Sequence, residues 1–353
     1  MRDNMKTAAA LFSIVLLTTS AQAAARNLER VTVSGNEFVR LAEWSESAGC
    51  SMKWNKRDGE IDVSGPSARL NFTIDSRRAE IYGVSIWLCL PVVNRNGVPL
   101  ISLADVRSTL EPVLSPRKSE DRVHTVCLDP GHGGKDGGKA QGLHYEKKYT
   151  LLLAQETAGL LKEQGFKVVM TRSNDDAVEL SDRPQLASRH GADVFVSLHY
   201  NAAEPNLHGV EVFCLAPPDM NSSDEGGGTS THPAETGNAQ DDRNVLLAYQ
   251  MQKSITRSLP LEDLGLKRSH FEVLRLARIP AILIEGGFLS NADDAKKIYD
   301  AAIRKRMARA IVDGLLAYKK AVTPLPPSAE GDSFGARPSS GAATSGLPTR
   351  QNH

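Results

Sequence analysis

The stretch His124-Thr-Val-Cys-Leu-Asp129 leads directly into the glycine-rich run Pro130-Gly-His-Gly-Gly-Lys-Asp-Gly-Gly138. A short apolar run that ends at turn residues predicts a buried β-strand followed by a loop. A glycine-rich loop after a strand could bind a nucleotide, but the spacing differs from the dinucleotide pattern and the Gly-Lys-Ser/Thr of a phosphate loop is absent. The loop instead carries His132 close to the carboxyl end of the strand, where open α/β sheets place their ligand sites.

Strand and helix patterns alternate along the chain beyond this loop. Strands are predicted at 167–171, 193–199, 209–215 and 281–285, and helices at 149–163, 184–190, 244–259 and 292–320. Repeated strand–helix order predicts a sheet that is covered by helices on both faces. We therefore expect an α/β domain over residues 123–321.

The region before this domain has a different sequence pattern. Short alternating runs between Val31 and Leu114 are separated by glycines, a pattern typical of strands and hairpins. We expect a small β-rich domain over 27–115. The polar stretch 115–122, which contains a proline, is the predicted boundary.

Three further segments are predicted from composition. Residues 1–23 combine Arg2 and Lys6 with a short apolar run and an Ala21-Gln-Ala23 cleavage site, which indicates a signal peptide and a periplasmic or extracellular protein. No second long apolar stretch follows, so no membrane span is expected after cleavage. Residues 217–242 are predicted to be a flexible insertion, and residues 322–353 a disordered tail.

Charge excludes one class of partner. The chain has 42 basic and 42 acidic residues, a formal net charge of zero. Because each phosphate contact uses a Lys or Arg, a nucleic-acid partner is not expected.

Two histidines are predicted to reach the same edge of the sheet. His199 ends an apolar strand, as His132 follows one, and two imidazoles plus a carboxylate form a common zinc set. The third ligand is Glu146, at the start of the next helix, or His144 in the loop before it; position alone favours Glu146. The alternative is that each histidine is an ordinary hydrogen-bonding group.

A fourth residue follows an apolar strand. Glu285 ends Ala281-Ile-Leu-Ile284, and a carboxylate in such a place must be paired, protonated or functional. The functional interpretation is a general base that moves a proton between water and a leaving amine. The structural one is a salt bridge to Arg183 or Arg275.

The four cysteines are interpreted in pairs. Cys50 and Cys89 share the small domain and could form a disulfide in an oxidising compartment. Cys127 and Cys214 lie on predicted core strands and are expected to be buried thiols.

Residues 124–320 resemble the zinc-dependent N-acetylmuramoyl-L-alanine amidases, which cleave peptidoglycan in bacterial cell-wall turnover and daughter-cell separation. The resemblance lies in separate motifs in the family's order: Leu128-Asp-Pro-Gly-His-Gly-Gly-Lys-Asp136, Tyr145-Glu-Lys147, Val169-Met-Thr-Arg172, Leu180-Ser-Asp-Arg183, Gly191-Ala-Asp-Val-Phe-Val-Ser-Leu-His199 with Asn201, Val273-Leu-Arg275 and Pro280-Ala-Ile-Leu-Ile-Glu-Gly-Gly-Phe-Leu-Ser-Asn291.

This resemblance implies a mixed twisted sheet flanked by helices, and a Zn²⁺ ion held by His132, Glu146 and His199. It also implies that Glu285 is catalytic, and that the enzyme cleaves the amide between N-acetylmuramic acid and the L-alanine of the stem peptide. Two departures from the family's pattern, Lys139 and Gly286, are not at ligand positions. The competing hypotheses are an inactive wall-binding or activator module, which predicts a broken ligand set, and a zinc hydrolase of another amide.

The small domain is similar to the N-terminal domain of copper amine oxidases, chiefly over 46–113. No histidine lies between Ala24 and Val123, so copper is not implied. The expected task is to hold the enzyme at the wall or at an activator protein, with a plain spacer as the alternative.

Overall fold

A computed structural model describes residues 28–55, 59–119 and 123–324. The predicted signal peptide (1–23) and all of the predicted tail beyond residue 324 lie outside the described residues. Among the described residues, no helix combines the length and the apolar character needed to cross a membrane.

Seventeen strands are present in the described part. They are β1 (Arg30–Val33), β2 (Asn36–Arg40), β3 (Ser51–Asn55), β4 (Glu60–Gly65), β5 (Ala68–Thr73), β6 (Arg78–Ile81), β7 (Val84–Trp87), β8 (Val93–Arg95), β9 (Val98–Ser102), β10 (Thr125–Pro130), β11 (Ala140–Gln141), β12 (His144–Tyr145), β13 (Lys167–Met170), β14 (Val194–Asn201), β15 (Val210–Leu215), β16 (Asp263–Ser269) and β17 (Ala281–Phe288).

The described residues also contain nine α-helical segments. They are α1 (Leu41–Ser47), α2 (Leu103–Asp105), α3 (Glu111–Leu114), α4 (Glu146–Glu163), α5 (Asp182–Arg189), α6 (Asp241–Ser258), α7 (Glu272–Arg275), α8 (Ala292–Tyr299) and α9 (Ala301–Val322). A π-helical turn, Val106–Leu110, joins α2 to α3.

One large mixed sheet organises the molecule, in the order β13-β10-β14-β17-β15-β16-β7-β6-β5-β4-β3. Strands β13, β10, β14 and β17 run parallel, whereas β15 pairs with β17 antiparallel. The expected α/β class with a mixed sheet is therefore confirmed.

Helices cover both faces of this sheet, as predicted. Side chains alternate along β14, so that Val194 and Val196 join one apolar core with Leu153 of α4. Phe195 points the other way and packs with Ala187 of α5. Each face of the sheet thus has its own core.

The N-terminal region is β-rich, as expected, and continues the same sheet. Strands β3 to β7 extend it through a parallel bridge between Ile86 of β7 and Leu266 of β16, and β1, β2, β9 and β8 form a second sheet. The described residues up to Thr323 belong to one compact unit. The division into 27–115 and 123–321 stays a prediction.

Several local expectations were wrong or incomplete. The helix predicted over 292–320 is two helices, because Asp300 is extended and its Oδ1 accepts hydrogen bonds from the amides of Ala302 (2.7 Å) and Ile303 (3.0 Å), which caps α9. Strand β16 and the helices of the N-terminal region were not predicted. In β16 the neighbouring charges Lys267 and Arg268 obscure the apolar alternation.

The insertion 217–242 makes defined contacts with the rest of the chain. It contains two 3-10 turns, Ser223–Glu225 and Thr236–Gln240. The Ser223 carbonyl accepts a hydrogen bond from Arg77 (3.0 Å), and the Gly228 amide donates to the Cys89 carbonyl (3.2 Å). Its flexibility stays a prediction.

All four cysteines lie in the described ranges, and all are buried free thiols. The disulfide considered for Cys50 and Cys89 is therefore not formed. Burial raises the pKa of Cys127 and of Cys214, the latter to about 11, which fits the buried thiols expected there.

Candidate metal centre

The topology brings the predicted site residues to one edge of the sheet. Strands β10, β14 and β17 are parallel neighbours, so their carboxyl ends lie together. His132 follows β10, while His199 of β14 pairs in register with Glu285 of β17. Residues paired across neighbouring strands share a face, so His199 and Glu285 point to the same side.

Glu146 lies between the two histidines. Its Oε2 is 3.0 Å from Nε2 of His132, and its Oε1 is 3.0 Å from Nδ1 of His199. One ligand atom from each of the three residues lies within 4.8 Å of the others. His144 is not in this cluster: its Nδ1 lies beside the Tyr149 hydroxyl and its ring stacks on Tyr299 at 4.1 Å. Of the two residues weighed as a third ligand, only Glu146 is with the histidines.

Charge and burial oppose each other at this cluster. Burial disfavours ionised Glu146, but the hydrogen bonds and charges of His132 and His199 outweigh it and hold its pKa well below the usual value. Burial likewise disfavours charged His132, yet the contacts with Glu146 and then Asp136 raise its pKa. Glu146 is therefore an anion at neutral pH.

Backbone amides fix the carboxylate. Lys139 N donates to Oε2 of Glu146 at 3.0 Å, and Tyr200 N donates to Oε1 at 3.1 Å. As the first residue of α4, Glu146 also lies at the positive end of the helix dipole. These contacts hold both oxygens towards the imidazoles.

Two glycines allow the backbone to pack directly against the side chains of the cluster. A Cβ on Gly131 would lie 2.2 Å from Cε1 of His199. Gly138 has a φ of +63°, which favours glycine, and a Cβ added to it would lie 2.6 Å from Oε2 of Glu146. Any side chain at these two positions would displace the cluster.

A buried network holds the loop that carries His132. Asp129 is fully buried and accepts from the hydroxyls of Thr171 (2.6 Å) and Ser197 (2.7 Å) and from Arg183 (2.9 Å). Arg183 donates onward to the His132 carbonyl at 3.1 Å. The loop is thus tied through Asp129 and Arg183 to β14, to α5 and to the residue after β13.

Asp136 orients His132 directly. Its Oδ2 lies 2.8 Å from Nδ1 of His132, the ring nitrogen that faces away from Glu146. A carboxylate in this place fixes the tautomer and the ring orientation. Sequence reasoning quoted Asp136 in a motif but gave it no role, although its spacing of four residues from His132 was a usable signal.

Glu285 has no partner of its own among the described residues. Its Oε2 is buried without a hydrogen bond, and the two arginines considered for it pair elsewhere, Arg183 with Asp129 and Arg275 with Glu235. Burial, then the negative charges of Glu146 and Glu211, raise its pKa well above the ordinary value. It is a carboxylate with a high proton affinity.

Glu211 was missed at the sequence level. It lies on β15 opposite Glu285, is 2% exposed, accepts from Asn201 (2.6 Å) and pairs with Lys267 (2.6 Å). The rule that singled out Glu285, a carboxylate within an apolar strand, applies equally to Glu211 in Val210–Leu215. The same rule therefore identifies both Glu285 and Glu211 as candidates.

An open cavity of about 490 Å³ adjoins the cluster. His132, Glu146, His199 and Glu285 all line it, with further walls from Lys139, Leu180, Phe271 and Glu272. No residue of 217–242 lines it. The arrangement therefore offers three convergent ligands for a metal and one free carboxylate beside a space for a substrate.

Comparison with known proteins defines the class. The model of the N-acetylmuramoyl-L-alanine amidase family matches residues 126–317, more than half of the chain, and that of the copper amine oxidase N-terminal domain matches residues 22–124. The chain belongs to the N-acetylmuramoyl-L-alanine amidase family, as the sequence motifs implied.

Three individual relatives each match 55% of the chain. Uncharacterized protein YqiI of Bacillus subtilis is 32% identical over 194 residues, which are 55% of this chain and 84% of YqiI. Probable cell wall amidase LytH of Staphylococcus epidermidis is 34% identical over 198 residues, 55% of this chain and 58% of LytH. N-acetylmuramoyl-L-alanine amidase LytC of Bacillus subtilis is 31% identical over 194 residues, 55% of this chain and only 35% of LytC.

Proposed function

We propose that this protein is a secreted peptidoglycan hydrolase that cleaves the amide between N-acetylmuramic acid and L-alanine of the stem peptide. One observation carries the proposal: three convergent ligand residues and an unpartnered carboxylate line one cavity. Family membership gives the substrate class. The complete set argues against an inactive wall-binding or activator module.

The residues fit a zinc ion. Two imidazole nitrogens and one carboxylate oxygen form a donor set that catalytic zinc commonly has. His132, Glu146 and His199 would hold the ion, and Asp136 fits the usual outer carboxylate on a ligand imidazole. Bound there, zinc would supply Lewis acidity, lowering the pKa of a coordinated water to about 7 and polarising a carbonyl.

Glu285 would move the proton. Its free carboxylate has no hydrogen bond to break before it accepts a proton from the attacking water. Its raised pKa favours keeping that proton until the L-alanine amine leaves and takes it. The same group thus acts first as base and then as acid.

Location and the N-terminal region belong to the same proposal. A peptidoglycan substrate lies outside the cytoplasm, in agreement with the signal peptide predicted from residues 1–23. We propose that domain 27–115 holds the enzyme at the wall or at an activator protein.

Product identification tests the activity. Purified muropeptides would be digested with and without a chelator, and the products identified by mass spectrometry. We expect release of intact stem peptides beginning with L-alanine, lost with the chelator and restored by zinc. Cleavage within the stem peptide would instead favour a zinc peptidase, and no cleavage at all would contradict the proposal.

A further inference from the structure

The cavity beside the metal centre contains a lysine with an unpaired ammonium. Lys139 lines the cavity and is exposed. Within residues 28–55, 59–119 and 123–324, its Nζ has neither an ion pair nor a hydrogen bond. No other lysine or arginine among these residues lines the cavity. Lys139 is therefore the available cation for an anionic group of a ligand.

The backbone of Lys139 is fixed relative to the candidate metal ligands. Its amide donates to Oε2 of Glu146 at 3.0 Å, and its carbonyl accepts from the Glu146 amide at 2.8 Å. Gly138, just before it, packs against Glu146 and His132 so closely that a Cβ would lie 2.6 Å from each. The Lys139 side chain thus starts from a backbone that is fixed beside the candidate metal ligands.

Apart from the zinc ion that the three ligand residues would hold, the charged side chains of the cavity make Lys139 the favourable place for an anion. Asp129 is neutralised by Arg183 at 2.9 Å. Glu272, on α7, has no side-chain partner in the described chain, and Glu285 has none either. A carboxylate entering the cavity is repelled near Glu272 and attracted near Lys139.

We propose that Lys139 binds a carboxylate of the stem peptide close to the scissile amide. The enzyme therefore prefers stem peptides in which that carboxylate is free over those in which it is amidated. This inference rests on the proposed function and adds the substrate subclass.

The test uses two muramoyl pentapeptides that differ only in the α-carboxyl group of the second residue, free in one and amidated in the other. For the wild type we expect kcat/KM about twofold to fivefold higher on the free form, mainly through KM, as one partly exposed charge pair gives. Lys139→Ala should remove the preference, and Lys139→Arg should retain it. Added salt should weaken the preference in the wild type and in Lys139→Arg.

Lys135→Ala is the matched control. Lys135 lies on the same loop, is exposed and does not line the cavity. Its removal deletes the same charge nearby and should leave the preference intact. If the wild type cleaves both substrates equally well, or Lys139→Ala keeps the wild-type preference, the Lys139 assignment is overturned while the proposed function stands. If the wild type cleaves neither substrate, the proposed function itself fails.

Discussion

At the scale of single residues, metal binding by His132, Glu146 and His199 can be separated from proton transfer by Glu285. Glu285 makes no hydrogen bond to His132, Glu146 or His199, so Glu285→Gln should leave metal binding intact. We expect kcat to fall about 10²-fold or more, the share that acid–base catalysis usually contributes. Metal content per chain and the rate of stem-peptide release measure the two effects.

A Glu285→Gln variant with wild-type activity would exclude Glu285 as the base. Glu262→Gln serves as the control, since Glu262 is exposed and does not line the cavity. It should behave as the wild type in both measurements.

Gly131→Ala should damage the centre although it replaces no ligand residue. The added Cβ would lie 2.2 Å from the His199 ring, and the backbone cannot yield because the Gly131 carbonyl accepts from Thr150 and Arg172. We expect at least about a tenfold loss of activity, since small misplacements at a reaction centre cost that much or more, together with a lower metal content.

Gly159→Ala is the matched control for that substitution. Gly159 lies within α4, and a Cβ added there would have open space around it, so alanine should stabilise the helix by up to about 1 kcal/mol. Normal metal content in Gly131→Ala would show that the close packing against His199 is not required.

Residue type and position singled out the four central residues as candidates, and the family's motifs decided between Glu146 and His144. His132 follows strand β10, His199 and Glu285 come directly after the apolar runs within β14 and β17, and Glu146 begins α4, so the sequence pattern drew attention to each of them. Asp136 and Glu211 could not be assigned in the same way, because their roles depend on which side chain each one faces across the fold.

At the scale of elements, the register of three strands sets the electrostatics of the site. His199 of β14, Glu285 of β17 and Glu211 of β15 form one row across the sheet. Glu211 therefore lies beside Glu285 and is one of the charges that raise its pKa.

This row predicts a shift in the pH profile. Glu285 must be ionised to accept a proton, so activity falls as the pH drops through its pKa. Glu211→Gln removes a negative charge, lowers the pKa of Glu285 and should move the acid limb of kcat/KM to lower pH. The measurement is kcat/KM against pH on a fixed muropeptide.

Glu80→Gln, an exposed acid on β6, is the control and should leave the acid limb in place. An acid limb that stays fixed or moves to higher pH in Glu211→Gln would contradict the coupling between the two glutamates.

Elements differed in how well the sequence predicted them. Apolar runs such as 193–199 were identified because strands buried on both faces need continuous apolar residues. Strand β16 was missed because Arg268 within it is buried, and its terminal nitrogens donate only to groups distant in sequence, the carbonyls of Leu215 and Ser108 and the Thr109 hydroxyl. The break at Asp300 was missed because the apolar helix pattern runs on through this position, whereas in the structure the Asp300 side chain caps a new helix.

At the scale of the whole molecule, the N-terminal strands and the site share one sheet. Trp87 Nε1 donates to the Leu264 carbonyl (2.9 Å), Ser85 N donates to Asp263 (2.9 Å), and Arg268 reaches Thr109 (3.0 Å). These contacts join β7 and the π-helical turn to β16. The sequence indicated two regions with different residue patterns but contained no signal for the pairing of β7 with β16.

We therefore expect the chain to unfold in a single cooperative transition. Differential scanning calorimetry of the metal-free full chain should therefore show a single peak. Two well-separated transitions would show that the shared sheet does not couple the regions.

Anomalous diffraction at the zinc absorption edge, from crystals of the purified protein, tests the central claim most directly. We predict one zinc ion per chain, coordinated by His132, Glu146 and His199, with the Glu285 carboxylate facing it across the cavity. A zinc-replete crystal with no anomalous peak at these three residues, or with its peak at other ligands, would contradict the assignment of this site.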